Sequence, residues 1–320
     1  MFTKGKLMFL YSEELVHPGS GEGVGAIDLP IQREKITSWP IIQASGIKGT
    51  IREHFETKIE NNNLLFFVFG PDPDKGGDPS QNAGAVSFTD AKVLLFPVRS
   101  LKGTFAYVTC PLAITRLRKD LETLRDISGT ELLDDNFEKA KELESLPIQD
   151  EQIVVPQNIS SRIVIDGNNT QQVVLEEYAL NVQAEDGLDK LVTWLKDRWE
   201  HQAPWVDIER RIALVSDNTF QDFVEMSTEV ITRIKINDDT GVVEKGALWT
   251  EEYLPRETLL YSLVLASKPF GSNVPDTINS DEKVLNYVTD KNYNDCRTPN
   301  MIWLGGNLTI GKGLLRVKFI

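Results

Sequence analysis

Apolar residues fall into two kinds of spacing along this 320-residue chain, and each marks out elements. Within residues 4–15, Leu7, Phe9 and Tyr11 alternate against Met8 and Leu10, the pattern of a strand buried on both faces. Residues 45–60 instead place Ile47, Ile51, Phe55 and Ile59 at every fourth position, which predicts an amphipathic helix with Ser45 as its N-cap. Gly46 and Gly49 in its first turn are poor helix formers, and they make sense if another backbone or a sugar-phosphate comes close there. After a breaker-rich loop from Gly70 to Ala83, strands are predicted at about 84–98 and 103–110. Residues 111–145 read as helical, striped by Leu117, Leu121 and Leu124 and broken at Ser128-Gly129. Residues 152–182 read as β structure containing an Asp166-Gly167-Asn168 turn, and short amphipathic helices follow at 187–200 and 220–226.

From Glu229 two β-rich arms, 229–236 and 242–249, flank the polar turn Asn237–Gly241, a hairpin signature. A buried strand at 258–266, a helix at 280–290 and strands at 301–304 and 314–319 complete the chain. Strands and helices mix without a repeating βαβ period, which predicts an α+β fold.

Charge sharpens this picture. The net charge of −14 argues against nucleic-acid binding through the global field, but it is unevenly spread. Residues 296–320 carry Arg297, Lys312, Arg316 and Lys318 with no acid, while acids crowd Asp120 to Glu151. Such segregation is compatible with an RNA face and a solvated back. Two distant cysteines, Cys110 and Cys296, and no secretory signal predict free thiols in the cytoplasm. No apolar run reaches the roughly 18–20 residues of a membrane span, so no membrane partner is expected. The three histidines, His17, His54 and His201, are too scattered for a histidine metal cluster.

Two glycine loops carry the candidate chemistry. The first, His17 to Arg33, leaves the end of the first strand with Gly19, Gly21, Gly23 and Gly25, then a lone acid, Asp28, then Pro30. The second, Gly305 to Gly313, precedes the last strand. Glycine at that density allows positive φ and close approach of the backbone to a ligand. Together the loops suggest a surface for a phosphate backbone.

In the segments HPGSG (17–21), GAIDLPIQRE (25–34), QASGIKGTIRE (43–53), FPVRSLKGTFAYVTCP (96–111), VSD (215–217), GALWTEEYLP (246–255) and GGNLTIGKG (305–313), the chain resembles the RAMP superfamily. Within it, the likeness is to the repeated backbone subunit of the type III-B CRISPR–Cas (Cmr) effector complex. The segments run from end to end in consistent order. This resemblance implies one RAMP domain with a ferredoxin-like, RRM-like palm (about 1–110, 205–228 and 254–320), a helical and β insertion (about 111–204) and a thumb hairpin (about 229–253). It implies copies of the chain stacked along a guide crRNA with other Cmr subunits. An acid in the loop after the first strand would then cleave paired target RNA at regular intervals, leaving a 2′,3′-cyclic phosphate and a 5′-hydroxyl, with a divalent metal (Mg2+ or Mn2+).

Onto these residues the resemblance carries particular roles. Asp28, read from position alone as a turn residue before Leu29-Pro30, becomes the catalytic and metal-holding acid. His17 is a candidate acid, base or phosphate donor, with loop packing as the alternative. Glu251 and Tyr253 are implied near the cleavage site of an adjacent copy, with a salt-bridged Glu and a packed Tyr as the alternative. Lys48 and Arg52, four apart on one helix face near its N-terminus, suit guide phosphates, as do Gly19, Ser20, Gly21, Gly311, Lys312 and Gly313. Arg233 and Lys235 on the hairpin are candidate RNA contacts, or edge protection. Among the tryptophans, Trp249 is the candidate stacking platform, while Trp194 and Trp199 read as core. Two other functions stay open: a catalytically silent scaffold of the same assembly, and a free-standing RAMP nuclease that processes the guide precursor.

Overall fold

The computed structural model describes residues 1–23, 25–58, 62–71, 82–167, 170–199, 204–205, 207–290 and 298–320. Ile59, most of the breaker-rich loop, Asn168, His201, Cys296 and Arg297 lie outside them. In chain order the elements are β1 (Lys4–Ser12), β2 (Ile41–Ile42), α1 (Ala44–Glu56), α2 (Asn62–Phe69), β3 (Val86–Phe88), β4 (Ala91–Ser100), β5 (Thr104–Thr109), α3 (Pro111–Ser128), α4 (Asp135–Ala140), β6 (Gln152–Pro156), β7 (Ile165–Asp166), β8 (Gln171–Leu175) and β9 (Tyr178–Glu185). The second half holds α5 (Asp186–Trp199), α6 (Ile208–Arg211), β10 (Ile212–Leu214), α7 (Asp217–Met226), β11 (Glu229–Ile236), β12 (Val243–Tyr253), β13 (Leu259–Ala266), α8 (Asp281–Thr289), β14 (Met301–Trp303) and β15 (Leu314–Phe319).

The α+β expectation holds. One large mixed sheet runs β14-β15-β1-β13-β4-β5-β10-β6-β9-β8-β7. Strand β1 lies inside it, antiparallel to β13 on one side and to β15 on the other. Its alternation sorts the core into two layers. Met8 and Leu10 pack with Ile47, Ile51 and Phe55 of α1, Phe220 of α7 and Val284 of α8. Leu7, Phe9 and Tyr11 pack on the opposite face with Leu117, Leu121 and Leu124 of α3 and Trp194 and Trp199 of α5. Both tryptophans are core residues.

Two features depart from the sequence expectations. First, β8 also pairs with β4 through Ser100 and Leu175, so β4-β5-β10-β6-β9-β8 closes into a six-strand ring. The strands of residues 152–185 thus share a sheet with β4, β5 and β10. Second, Ser45 is not the N-cap of α1. The cap position is Gln43, whose side chain makes no capping bond. The amide of Ala44 instead donates to Asp90 Oδ1 at 2.8 Å, a cap supplied from the next layer of structure.

The hairpin β11–β12 forms its own two-stranded sheet, with Arg233 opposite Trp249 and Ile231 opposite Glu251. At its tip Asn237 Oδ1 accepts from the amides of Asp239 and Thr240, a side-chain turn that folds the chain back. Val230, Ile234, Ile236, Val242, Val243 and Leu248 are exposed along it. No helix among the described residues is long and apolar enough to cross a membrane.

Candidate functional site

Successive residues of a strand face opposite ways, and β12 uses both faces at its base. Thr250 and Glu252 face the first glycine loop. Trp249, Glu251 and Tyr253 face Arg233 and the second glycine loop.

On the first side, residues 28–31 run along β12 as a short added strand. Leu29 pairs parallel with Glu251, its amide donating to Thr250 O (3.0 Å) and its carbonyl accepting from the amide of Glu252 (3.0 Å). Asp28 and Thr250 make a closed set of bonds. The amide and hydroxyl of Thr250 both donate to Asp28 Oδ2, at 2.7 and 2.8 Å, and the amide of Asp28 donates back to Thr250 Oγ1 at 3.0 Å. Those bonds from Thr250, backbone amide first and hydroxyl second, hold the Asp28 carboxyl below its ordinary range. Oδ2 is therefore occupied, whereas no described group bonds Oδ1, and the residue is exposed. Below it, buried Glu252 accepts from Arg33, Thr228 and the amide of Ile31. Arg33 also donates to the carbonyls of Ser38 and Val224. This charged knot anchors the loop exit to the hairpin base and to the end of α7.

On the second side, Glu251 is 5% exposed and fully engaged. Its Oε1 accepts from Trp249 Nε1 (2.9 Å), and its Oε2 from Arg233 Nε (3.1 Å), Asn307 Nδ2 (3.0 Å) and the Tyr253 hydroxyl. The Tyr253 oxygen in turn accepts from Arg233 (3.2 Å) and Asn307 (2.8 Å). Burial pushes the Glu251 carboxyl up, but the bonds from Tyr253, Trp249 and Arg233 more than reverse this and leave it lowered. Burial, then the bond to Glu251, raises the Tyr253 phenol. The Lys312 ammonium lies 5.5 Å from the centre of the Tyr253 ring.

His17 ties the two glycine loops together. Its Nδ1 lies 2.6 Å from the carbonyl of Glu252, so that nitrogen is the protonated one. Its own carbonyl accepts from the amide of Gly306 at 2.9 Å. A Cβ at Gly19 would sit 2.8 Å from His17 Nε2, and one at Gly305 would sit 2.5 Å from the His17 carbonyl oxygen. Gly19 thus leaves room for the imidazole, and Gly305 for the His17 main chain.

The remaining candidates divide. Ser20 bonds the Pro30 carbonyl through both its amide and its hydroxyl, bracing the loop. Gly21 has φ +93° with open space beside it. Gly311 and Gly313 have φ of +80° and +86°, and Gly313 packs against Leu304. Lys48 is half-buried and donates to the Val86 carbonyl at 3.2 Å, its pKa lowered by burial and then by Arg52. Arg52 pairs with Glu56 and bonds the Gly70 and Pro71 carbonyls. Lys235 pairs with Glu244 at 2.9 Å and stays largely exposed. Gly46 and Gly49 meet nothing within 4 Å, so the face of α1 they form is open.

The structure thus gathers Asp28, His17, Glu251, Tyr253, Lys312 and the two loops around the base of one hairpin, in one chain. Lys48 and Arg52 belong to a separate patch on α1. Sequence reasoning missed Thr250, Asn307, Arg33 and Glu252. A threonine in a strand and an asparagine in a glycine loop carry no signal of their own, and only the register of β12 exposes their roles.

Among the described residues no group of three or more His, Cys, Asp or Glu side chains could hold a metal. The donor set available is the free oxygen of Asp28. That fits a hard cation which takes one carboxylate from protein and its other ligands from phosphate and water.

The chain is similar to known proteins along nearly its whole length. The family model of the RAMP superfamily matches residues 12–316. A Pyrococcus furiosus protein named CRISPR system Cmr endoribonuclease Cmr4 is 36% identical over 319 residues, covering 98% of this chain and 95% of its own. The CMR subunit Cmr4 of Saccharolobus solfataricus is 27% identical, covering 100% and 97%. The crystal structure of oligomeric Cmr4 from P. furiosus superposes with a TM-score of 0.66 at 29% identity, over 99% of this chain and 98% of that one. A chain of the type III-B Cmr-beta complex bound to cognate target RNA shares the fold with a TM-score of 0.73 at 20% identity, over 99% and 98%.

Proposed function

The chain belongs to the RAMP superfamily, in its Cmr4 family, and on that premise we propose that it is a backbone subunit of a type III-B Cmr effector complex that cleaves target RNA paired to a guide crRNA. In this reading β1, β4, β5, β10, β13 and β15 belong to a ferredoxin-like palm, β6–β9 to the insertion, and β11–β12 is a thumb that reaches over the guide. The exposed apolar residues of the hairpin support that role, since such side chains wedge between bases. Copies of the chain and other Cmr subunits complete the assembly. Guide–target pairing reads sequence while the protein reads backbone, which suits a chain whose net charge is −14 but whose C-terminal segment is basic.

One observation carries the nuclease reading. Asp28 presents an ionised, exposed carboxylate with one oxygen pinned and the other free, at the rim of a glycine loop. Its lowered pKa makes it a weak base at neutral pH, so its contribution is alignment. The ribose 2′-oxygen attacks the adjacent phosphorus and the bond to the 5′-oxygen breaks. The proton lost from the 2′-hydroxyl is balanced by one gained at the 5′-oxygen, giving a 2′,3′-cyclic phosphate and a 5′-hydroxyl. Asp28 Oδ1 orients the 2′-hydroxyl or holds the cation. A bound Mg2+ or Mn2+ would supply charge neutralisation at the phosphate.

Lys312, Gly311 and Gly313 then face the RNA backbone beside the site, with Gly19, Ser20 and Gly21 opposite, and the open glycine face of α1 receives a further stretch of guide. His17, Glu251 and Tyr253 serve as the frame that fixes both loops, because each spends its polar atoms inside the protein. That same engagement favours the alternative of a silent scaffold, with Asp28 and Glu22 as the exposed acids of the loop. Asp28→Asn in the assembled complex separates the two. Loss of cleavage with normal assembly and target binding supports the nuclease; wild-type cleavage leaves a scaffold.

A further inference from the structure

A carboxylate that acts by alignment needs something to align it. Asp28 sits in a loop a few residues after Gly23 and Gly25, is exposed, and bonds no helix residue through its side chain among the described residues. Left alone, its carboxylate would rotate freely about χ1 and χ2. The side-chain restraint comes chiefly from Thr250 of β12, with two bonds into Oδ2 and one received from the Asp28 amide, while the Gly23 amide holds the Asp28 carbonyl. The direction of these bonds is forced. Asp28 N–H can only donate to Thr250 Oγ1, so the hydroxyl hydrogen is the one that points at Oδ2. The hydroxyl is therefore oriented as well as present.

Thr250 is itself rigidly held. Its carbonyl accepts from the Leu29 amide, and its cross-strand partner is Thr232 of β11. Its neighbours in β12 are Trp249 and Glu251, both locked into the buried network on the other face. A shift of the hairpin base thus moves the carboxylate with it.

We propose that Thr250 is a positioning residue for the RNA-cleaving site: its hydroxyl and amide lock Asp28 Oδ2 so that Oδ1 alone faces the scissile linkage, and through it the pose of the hairpin sets the geometry of the acid. This rests on the reading of Asp28 as the group at the scissile phosphate.

The test uses the complete complex assembled on guide RNA, with single-turnover cleavage of a complementary target and separate target-binding titrations. Thr250→Val keeps the β-branched shape and the backbone amide but removes the hydroxyl. It should slow the cleavage step by about 10- to 100-fold, the scale on which small misplacements of a catalytic group act, with half-saturating target changed less than about twofold. Thr250→Ser restores the hydroxyl and should return the rate to within about threefold of wild type. On an Asp28→Asn background, Thr250→Val should cost nothing further. If Asp28→Asn abolishes cleavage while Thr250→Val cleaves at the wild-type rate, Thr250 does not position the acid and only this proposal falls. Equal slowing by Val and Ser would likewise overturn it, as would a loss confined to target binding. Wild-type cleavage by Asp28→Asn removes both this proposal and the nuclease reading beneath it.

Discussion

Asn307 Nδ2 donates at once to Glu251 Oε2 and to the Tyr253 hydroxyl, at 3.0 and 2.8 Å, and it does so from a left-handed backbone conformation with φ +66°. The second glycine loop is therefore joined to the hairpin by a side chain rather than by sheet pairing. Asparagine suits both demands, since it tolerates positive φ and carries the amide donor. Asn307→Ala removes both bonds and leaves a buried carboxylate short of a donor. The isolated chain should lose roughly 1–3 kcal/mol in denaturant unfolding. An unchanged midpoint would show that the loop is held by its backbone alone.

The same network makes a prediction about acid. The Glu251 carboxyl is lowered in the folded chain, so its contribution to stability is fully present above the ordinary carboxylate range. It is lost as pH falls through the lowered value. Tyr253→Phe removes one of the donors responsible and should move the onset of acid destabilisation to higher pH. Denaturant midpoints from pH 7 down to pH 3, compared between the two proteins, read this directly.

Glycines in the chain should respond in opposite ways. Gly46 has nothing within 4 Å and lies in a helix, so Gly46→Ala should stabilise the free chain by about 0.5–1 kcal/mol. If guide RNA lies against that face, the same change should weaken RNA binding, an effect with the reverse sign. At Gly313, φ is +86° and a Cβ would sit 2.4 Å from the Leu304 carbonyl oxygen. Gly313→Ala should cost at least about 2 kcal/mol. Thermal unfolding and RNA titration of both variants check each half.

Lys312 pairs with no acid among the described residues and rests on the Tyr253 ring, an arrangement that leaves its charge available to a phosphate. Lys312→Ala should weaken guide binding evenly across sequences and reduce the salt dependence, d log K/d log[salt], by about one. A slope that does not change would assign the lysine to packing.

Much of the molecule could be read from residue spacing because the signals are local. Ile47, Ile51 and Phe55 are all buried under α1, and the arms flanking Asn237–Gly241 do pair as a hairpin. What spacing could not convey were the bonds made between distant segments. Asp90 caps α1 from 46 residues away from Ala44. Thr250 reaches Asp28 across a separation of 222 residues, and β8 meets β4 to complete a ring. From its position Asp28 reads as a turn residue, and the family likeness makes it the candidate acid. Its partner was not legible, since threonine is common in any strand. For Glu251 and Tyr253, the family likeness marked the residues, while the structure supplies their bonds to Arg233, Trp249 and Asn307 within one copy.

The ring of six strands is shut by a narrow seam. Beyond the Ser100–Leu175 pairing, two backbone bonds cross it, from Leu101 N to Val174 O and from Glu176 N to Arg99 O. The β4–β5, β5–β10, β6–β9 and β9–β8 junctions pair over three or more residues and β10–β6 through Leu214 and Val154 alone, while this seam can unzip by parting a few bonds near the surface. Breathing of the barrel should begin there, and the amides of Leu101 and Glu176 should trade their hydrogens with solvent well before those of β5, while the hairpin and the two glycine loops stay shut.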